Sequence, residues 1–442
     1  MTEPAGASTT DPERGGRWRR LTEVGLLAIV GLAVFALFAL GPRERQPNAQ
    51  DASATARALP TASQPGSTAP SPSVSVSPTV GVASPAQSPF TPVIEVAFRH
   101  GAPGTLQFVT GLIEADGRRI AAVNVQTSEL VSPTGPWGGD GAIYVEQAVG
   151  SWTQAETGGV FESIRISYLF APPDGPFVIY GSVGYSTPTP REVTGVWTSN
   201  DAMTWTEVAV EPHNGVIAEG PLGYLQALVT TDESGSATLE IYTSADALVW
   251  QPVHTVDLPA GSFVWAAGVG PEGYVVTYDE AGDIRSRVLA SADGSTWHAA
   301  PEQPSFAADD IVMAISDLGS NWVGAGWSGF DSSAITLWWS ADGLNWERVG
   351  TLTADVEYFG AAADLFEVDG RLFLNTSLAM EGSETRPAGI WTSLDGRSWE
   401  PLDLGPEAEV RSGLATDCCL LLGGRIGIQA GEAAIWRLGP EP

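Results

Sequence analysis

The segment GVWTSNDAMTW, residues 195–205, occurs in five similar copies along the chain, and this repetition decides the fold. Each copy has an apolar strand, then a Ser-x-Asp-(Gly/Ala)-x-x-Trp turn, then a second short strand such as WTEVAV or WERVGTL. The other copies are EIYTSADALVW (240–250), RVLASADGSTW (287–297), TLWWSADGLNW (336–346) and GIWTSLDGRSW (389–399). We therefore predict a series of β-hairpins that share one type of tight turn.

Folding alone explains every position of the repeat. The Ser and Asp side chains suit hydrogen bonds from the NH groups of the turn that they open. The residue after Asp takes the left-handed conformation, which is natural for Gly and strained for Ala202 and Ala247. The Trp packs its large ring against the sheet. We assign a structural role to the whole set: Ser199, Asp201, Trp205, Ser244, Asp246, Trp250, Ser291, Asp293, Trp297, Ser340, Asp342, Trp346, Ser393, Asp395 and Trp399.

Two degenerate copies complete the count of repeats. AIYVEQAVGSW (142–152) carries Ala148 where Asp is expected, and AAIWRL (433–438) supplies a strand without its partner. FTPVIEVAF (90–98) resembles the strand after a repeat Trp, so we expect it to pair with the last strand and close a ring. Two further strand signals joined by a Gly turn lie between successive repeats, as in DLFEVDGRLFLNT (364–376). The prediction is an all-β, seven-bladed β-propeller of four-stranded blades.

The repeat resembles the Asp-box, or BNR repeat, of sialidase-like propellers and of related photosystem-assembly and glycan-handling proteins. Here Ser291 to Trp297 is one residue shorter than the usual SxDxGxxW box. The resemblance covers the propeller and implies its fold. It also implies that the boxes are structural turns on the face away from any catalytic centre.

A catalytic set is not identifiable in the sequence, so whether the chain is an enzyme stays open. Sialidases use an arginine triad, a Tyr and Glu pair and an acidic Asp, and their first Arg lies in an Arg-Ile-Pro motif. The nearest match here is Arg165-Ile166-Ser167, which lacks the Pro and lies in the second blade. The sequence also shows no nucleophile elbow, phosphate-binding loop or metal-binding box, and we expect no cofactor and no metal.

The net charge of −31 restricts the possible partners. All 21 basic residues are Arg, against 52 Asp and Glu, and most of the acids follow residue 45. A surface of this sign repels phosphate backbones, so we expect no nucleic-acid binding. Solubility outside the cell explains the charge, and binding of cations or of a basic partner is the alternative.

An apolar run, VGLLAIVGLAVFALFAL (24–40), is long enough to cross a membrane as a helix. Arg14, Arg17, Arg19 and Arg20 precede it, which favours a cytoplasmic amino terminus and an extracytoplasmic bulk. A cleaved signal peptide is the competing interpretation, but the run is longer than usual for one and its only small-x-small site would precede Pro42.

The chain thus divides into four parts. We predict a short cytoplasmic tail at 1–20, a transmembrane anchor at 21–41, a disordered stalk rich in Pro, Ser, Thr and Ala at 42–89, and the propeller at 90–442. The protein is then a single-pass protein of the cell membrane. Its oligomeric state cannot be inferred from the sequence.

Candidate ligand-binding residues lie in the loops between the second and third strands of the blades, opposite the repeat turns. Function concentrates on such loops when a rigid scaffold presents them. Trp137 and Trp327 suit contact with a sugar or a peptide, and Arg191 and Arg386 are charged residues of loops in the same class. Ordinary loop packing is the alternative role of all four.

Cys418 and Cys419 are the only cysteines, and they are adjacent. They align with the innermost strand of the seventh blade, where they are either two small buried residues or a vicinal disulfide with a redox role. From the whole sequence we expect a binding or scaffolding module for a glycan or protein ligand. A glycan-acting hydrolase and an assembly factor for a membrane complex are the alternatives.

Overall fold

The computed structural model describes residues 92–98, 105–126, 139–162, 164–183, 195–209, 215–329, 334–353, 359–379, 385–405, 407–427 and 431–439. All regular elements in these ranges are strands, and no helix long and apolar enough to cross a membrane occurs among them. The predicted tail, anchor and stalk lie outside the described residues.

The strands form seven antiparallel sheets of four strands each, which are the seven predicted blades. The first strand, β1 (Pro92–Phe98), belongs to the last blade. Blade 1 contains β2 (Leu106–Ala115), β3 (Arg118–Gln126), β4 (Gly139–Ala148) and β5 (Ser151–Gln154). Blade 2 contains β6 (Ile164–Phe170), β7 (Phe177–Val183), β8 (Gly195–Ser199) and β9 (Thr206–Val208). Blade 3 contains β10 (Val216–Gly220), β11 (Gly223–Thr231), β12 (Ala237–Ser244) and β13 (Gln251–Leu258).

The remaining blades repeat this order. Blade 4 contains β14 (Val264–Gly270), β15 (Gly273–Glu280), β16 (Asp283–Ser291) and β17 (His298–Ala299). Blade 5 contains β18 (Asp310–Leu318), β19 (Asn321–Ser328), β20 (Ala334–Ser340) and β21 (Trp346–Thr353). Blade 6 contains β22 (Phe359–Val368), β23 (Arg371–Ala379), β24 (Thr385–Ser393) and β25 (Glu400–Pro401). Blade 7 contains β26 (Ala408–Ala415), β27 (Leu420–Ile426), β28 (Glu432–Leu438) and β1.

Blade 7 closes the ring as the sequence predicts. β1 pairs antiparallel with β28, from Pro92 opposite Leu438 to Phe98 opposite Ala433. The first and last strands of the propeller therefore lie in one sheet. This pairing satisfies the backbone groups that an open edge between blades 7 and 1 would leave exposed.

The first strand of each blade lies innermost, because neighbouring blades contact one another through these strands. Contacts join neighbouring inner strands in pairs: β10 with β14, β14 with β18, β18 with β22, β22 with β26, β26 with β2, and β2 with β6. Blades 2 and 3 meet through Phe170 and Tyr224, whose ring centroids are 5.0 Å apart. The contacts thus form a closed ring of seven blades.

The hydrophobic core lies between the blades. Seven buried clusters occur in the described residues, and each one joins the facing surfaces of two neighbouring blades. Trp205 packs between blades 1 and 2, Trp297 between blades 3 and 4, and Trp399 between blades 5 and 6. Burial of these large rings gives each junction its apolar contact area.

Candidate functional site

The propeller has two faces of different construction. One face, which we call the turn face, carries the tight turns that join the first strand to the second and the third strand to the fourth. The other, the loop face, carries the longer connections between the second and third strands and between blades. The repeat segments lie on the turn face, at the junctions of third and fourth strands.

Each repeat turn is held by its own Asp side chain. In blade 4, Oδ1 of Asp293 accepts hydrogen bonds from the NH groups of Ser295 at 2.8 Å and Thr296 at 2.6 Å. The Ser291 hydroxyl donates to the same oxygen at 3.1 Å, and the Trp297 indole donates to the Gly294 carbonyl at 3.1 Å. The Asp side chains of the other four repeats accept the same pair of NH bonds.

These hydrogen bonds also lower the pKa values of the turn carboxyls. The NH groups of Thr204 and Met203 lower the pKa of Asp201 to about 2. Such a carboxylate stays ionised at neutral pH and serves as an acceptor for the turn. It has no proton to give, so it is not suited to general acid catalysis.

The turn residue after Asp also contacts the preceding blade. Gly343 of blade 5 lies against Val275 of blade 4, and Gly396 of blade 6 lies against Val323 of blade 5. Blade 1 lacks the Asp, and there Oε1 of Glu146 accepts the Gly150 NH at 2.6 Å instead. The turn face is therefore built to shape hairpins and to pack blades together.

Two of the four predicted ligand residues are described by the structure, and both lie on strands near the loop face rather than in loops. Trp327 lies inside β19, where it pairs with Ile311, and Arg386 lies inside β24, where it pairs with Leu378. Both residues lie near the ends of their strands, next to the loops. The two strands extend further than the polar residues at their ends indicate. Trp137 and Arg191 lie outside the described residues.

A feature that the sequence analysis missed lies on the inner strands. In six of the seven described blades the register of the first two strands shifts by one residue, so one residue of the inner strand has no partner. We call these residues the bulge positions, and they are Thr110, Ser167, Trp265, Met313, Ala363 and Arg411. β-Bulges redirect side chains and are common next to functional sites.

The bulge positions vary in residue type, and two of them are clearly more exposed than the residues that precede them. Val312 and Val410 are fully buried, whereas Met313 and Arg411, the bulge residues that follow them, are half-buried. The residue before the bulge is a small or branched apolar one in every case, but the bulge itself is an alcohol, an Ala, an indole, a thioether or a guanidinium. Packing therefore restricts the residue before the bulge to an apolar type, whereas the bulge residue can be chosen for contact with a ligand.

Arginines gather around one of these positions. The guanidinium carbon of Arg411 lies 4.6 Å from the centre of the Phe108 ring, and that of Arg165 lies 5.9 Å from the same centre. The three residues come from the inner strands of blades 7, 1 and 2. We call this set the arginine cluster. Cation–π contact holds both guanidiniums beside one aromatic ring.

A buried carboxylate fixes the orientation of Arg411. Nε of Arg411 donates to Oε1 of Glu409 at 2.7 Å, and Nε of Arg425 donates to Oε2 of the same carboxylate at 2.6 Å. Burial raises the pKa of Glu409, but the charges of Arg411 and Arg425 outweigh it, so the pKa lies below its ordinary value. Two arginines, Arg411 and Arg425, thus share the ionised Glu409 carboxylate.

On the other side of the ring, blade 4 has an aromatic bulge residue and blade 5 has an indole beside its bulge residue. The indole of Trp265 donates to Oδ2 of Asp279 at 3.0 Å, and the backbone NH of Phe263 donates to Oδ1 of Asp279 at 2.8 Å. The Phe263 and Trp265 rings are 6.0 Å apart, and Phe263 is 39% exposed. On blade 5 the indole of Trp327 contacts the Met313 sulfur. Trp327 thus contacts a bulge residue.

The sequence contained a signal for the bulge positions. In the inner strands an apolar residue is followed by a residue whose type differs from blade to blade, as in Val264-Trp265, Val312-Met313 and Val410-Arg411. Strict two-residue alternation hides this pattern, because the extra residue reverses the alternation within the strand. Alignment of the inner strands on each other, rather than on the repeat turns, would have exposed it.

The described residues also line a cavity of about 420 Å³ between blades 4 and 5, whose walls include Arg285, Glu302, Gln303 and Phe306. Gln303 donates to the Leu344 carbonyl at 2.8 Å and accepts the Trp346 NH at 3.1 Å. Arg285 pairs with Glu302 at 2.7 Å. These contacts hold the blade junction together, so the cavity walls already have a structural role.

The described residues contain no group of three or more His, Cys, Asp or Glu side chains that could hold a metal ion. The two cysteines were expected on the innermost strand of blade 7, and this position was wrong. They lie in the turn between β26 and β27, on the turn face, and their sulfurs are 2.7 Å apart as free thiols.

No protein-family model matches the sequence, and no curated protein matches it either. Solved structures with a similar fold include the β-propeller domain of the Trilobed protease from Pyrococcus furiosus, with 11% identity, a TM-score of 0.44, and coverage of 75% of this chain and 95% of that one. Trypanosoma rangeli sialidase has 12% identity, a TM-score of 0.37, and coverage of 79% and 59%. Aleuria aurantia lectin has 14% identity, a TM-score of 0.36, and coverage of 69% and 96%. Similarities this distant do not bear on function.

Proposed function

We propose that this chain is a membrane-anchored, extracytoplasmic binding module whose loop-face residues around the arginine cluster hold a glycan that carries a carboxylate or another anionic group. The observation that carries the proposal is the arginine cluster, where Arg165 and Arg411 lie beside one ring on three neighbouring inner strands. The planar guanidinium is the side chain best suited to bidentate contact with a carboxylate.

Preorganisation supports this assignment. Glu409 orients Arg411 from a position that is 1% exposed at the side chain, while 28% of the Arg411 side chain stays accessible. The guanidinium therefore does not have to be ordered when a ligand arrives, which reduces the entropic cost of binding. The negative charge of the rest of the chain acts at longer range and is screened beyond about 10 Å at ordinary salt.

Two indoles at or beside bulge positions favour a glycan over an acidic peptide. Trp265 and Trp327 present indole rings on the same face as the arginine cluster, and sugar rings offer apolar CH faces for contact with such surfaces. The Trp265 indole donates to Asp279, and the Trp327 indole contacts Met313. A ligand with an acidic group and further sugar units would use both kinds of position.

A glycan array probed with residues 88–442 tests the proposal. We expect binding to glycans with carboxylate groups, and we expect Arg411→Gln and Arg165→Gln each to weaken it roughly ten- to hundredfold, as for loss of a charge-assisted hydrogen bond. Arg397→Gln is the matched control, because Arg397 stacks on Trp339 and pairs with Glu347 on the turn face. The affinity of the Arg397→Gln variant for the glycan should equal that of the unchanged protein.

The other outcomes separate the alternatives. Binding of neutral glycans only, or equal affinity of the Arg411→Gln variant, would refute the assignment of the arginine cluster. Capture of stable membrane partners in place of glycans would support an assembly factor.

One observation favours a hydrolase as the second candidate. Burial and the charge of Glu367 raise the pKa of Asp317 to about 6, which suits a carboxyl group for proton transfer. Asp317 lies at the turn-face end of β18, away from the arginine cluster. Turnover of a glycoside that is lost in Asp317→Asn would establish this candidate and overturn the role of binding alone.

The membrane arrangement is a proposal that rests on 24–40 and on the arginines before it. Protease treatment of intact cells tests it. We expect loss of the propeller to the external protease while a tag before residue 20 stays protected.

A further inference from the structure

The turn between β26 and β27 of blade 7 holds two cysteine sulfurs in contact. The Thr416 NH donates to the Cys419 carbonyl at 3.0 Å, and the Cys419 NH donates to the Thr416 hydroxyl oxygen at 3.2 Å. Within this closed turn the two sulfurs are 2.7 Å apart, and the Thr416 hydroxyl lies 3.3 Å from one and 3.4 Å from the other. The backbone itself therefore brings the thiols together.

The two thiols have opposite environments. Cys418 is exposed, whereas Cys419 is 9% exposed and packs in the apolar cluster between blades 7 and 1. Gly439 also lies against Cys419, since a Cβ added at this glycine would be 3.0 Å from the Cys419 Cβ. An external reagent can thus reach the Cys418 sulfur. The buried Cys419 sulfur is in contact with the Cys418 sulfur instead.

A cation from the adjacent blade acts on the exposed sulfur. Hydrogen bonds from Cys419 and Thr416, and then the charge of Arg119 on β3, lower the pKa of the Cys418 thiol, whereas burial raises that of Cys419. Arg119 is held in place by Glu114 at 2.9 Å and Glu146 at 3.1 Å. The thiolate form, which is the nucleophile in thiol chemistry, is therefore favoured on Cys418.

We propose that Cys418 and Cys419 form a dithiol–disulfide couple that exchanges with external disulfides, with Cys418 as the attacking sulfur and Cys419 as the resolving one. The Cys418 thiolate attacks one sulfur of a disulfide R–S–S–R, forms a mixed disulfide and releases one thiolate. Cys419 then loses its proton, attacks the Cys418 sulfur and releases the second thiolate. The two protein thiols are oxidised to one disulfide, and the external disulfide is reduced to two thiols.

This couple is independent of the proposed glycan site. The cysteines lie on the turn face, and the arginine cluster lies on the loop face. The substrate class is a small or protein-borne disulfide, and its reduced counterpart is the thiol that would return the couple to the dithiol. Failure of either proposal leaves the other unaffected.

The experiment treats the full-length chain in detergent with excess dithiodipyridine, a neutral disulfide whose released thiol absorbs light. We expect the unchanged protein to release two moles of thiol per mole of chain and to retain no adduct in the mass spectrum. Cys419→Ser should release one and keep a pyridylthio adduct on Cys418. Cys418→Ser should react much more slowly, because its remaining thiol is buried.

Two further variants test the role of Arg119. Arg119→Gln should slow the first step roughly fivefold near neutral pH, because less of Cys418 is thiolate. Arg118→Gln is the matched control, because the Arg118 guanidinium donates to the Asp201 carbonyl, away from the thiols. The Arg118→Gln variant should react as fast as the unchanged protein.

Several results would overturn the proposal. These are a stable adduct on both cysteines of the unchanged protein, no reaction at all, or a Cys418→Ser variant that reacts as fast as the unchanged chain. Retained strand signal in circular dichroism shows that a slow variant is folded, so a slow reaction reports on the thiols.

Discussion

The two ends of the inner strands differ in charge, and this difference separates recognition from construction. At the loop-face end, Arg165 and Arg411 lie beside Phe108, and the deeply buried Glu409 pairs with Arg411. At the turn-face end, the last residue but one of four inner strands is acidic: Glu114, Glu219, Asp317 and Glu367. The inner strands thus carry arginines near the loop face and carboxylates near the turn face.

The two faces also differ in regularity. The turn face repeats one Asp-centred turn in five blades, with the same hydrogen bonds to within a few tenths of an ångström. The loop face repeats only a bulge, and the residue on that bulge changes from blade to blade. Regular positions are fixed by the need to fold, and the irregular ones are available for a ligand.

The largest expected effect concerns the loop-face end. Glu409→Gln leaves Arg425, with a side chain 6% exposed, buried without its counter-charge, so we expect a loss of about 3 kcal/mol in the free energy of unfolding. Because the pKa of Glu409 is lowered, its contribution is complete above the ordinary carboxyl pKa and is lost as the pH falls through the lowered value. Urea denaturation near pH 7 and in strong acid measures both effects.

The matched control is Glu347→Gln, which breaks the exposed pair with Arg397 on the turn face. We expect this change to cost about 0.5 kcal/mol or less. Equal losses in the two variants would mean that the loop-face end has no specially buried charge.

The second effect tests the turn face. Gly396→Ala places a methyl group at φ +70° against Val323 of the preceding blade, so we expect a loss of about 2 kcal/mol from strain and overpacking. Gly370→Ala, at φ +72° in the same blade, is the control because an added methyl there has no neighbour within 4 Å. Similar losses in thermal or urea unfolding would show that the turn does not pack blades together.

The smallest effect is a gain in stability at the turn-face end. The pKa of Asp317 is raised to about 6, so the folded state binds its proton more tightly than the unfolded state does. The stability contributed by this group is therefore highest in acid and is lost as the pH rises from about 4 towards 6. Asp317→Asn should stabilise the protein by about 1 kcal/mol at pH 7 and have little effect near pH 4.

Asp116→Asn provides the comparison for Asp317, because it makes the same chemical change at an exposed position in the turn between β2 and β3. Its unfolding free energy should stay unchanged at both pH values. An Asp317→Asn variant that is destabilised at pH 7 would contradict the raised pKa.

Most of the fold could be predicted from local sequence. The repeat turns, the blade count and the closing strand follow from short-range patterns, because turn chemistry and hydrophobic alternation act over a few residues. Trp327 was correctly placed near the loop face, but it was assigned to a loop, since the length of β19 depends on its pairing with β18 and β20.

The candidate site could be predicted only in part. Arg165 attracted attention as a poor match to a sialidase motif, and nothing in the sequence joined it to Phe108 or Arg411, which lie far from it along the chain. The cysteines were assigned to the innermost strand, because the run CCLLL is apolar along its whole length. In the structure both cysteines lie in the turn between β26 and β27, and only the leucines belong to β27.

The sequence by itself determined the seven blades, the Asp-centred turns and the ring closure at β1, because each depends on a local pattern that the chain repeats. Only the tertiary structure decided which inner-strand residues lie on bulges, which arginines share the Phe108 ring, and which blade supplies Arg119 to Cys418. These arrangements join residues from different blades, and their distances are set by the packing of whole sheets rather than by neighbours in the chain.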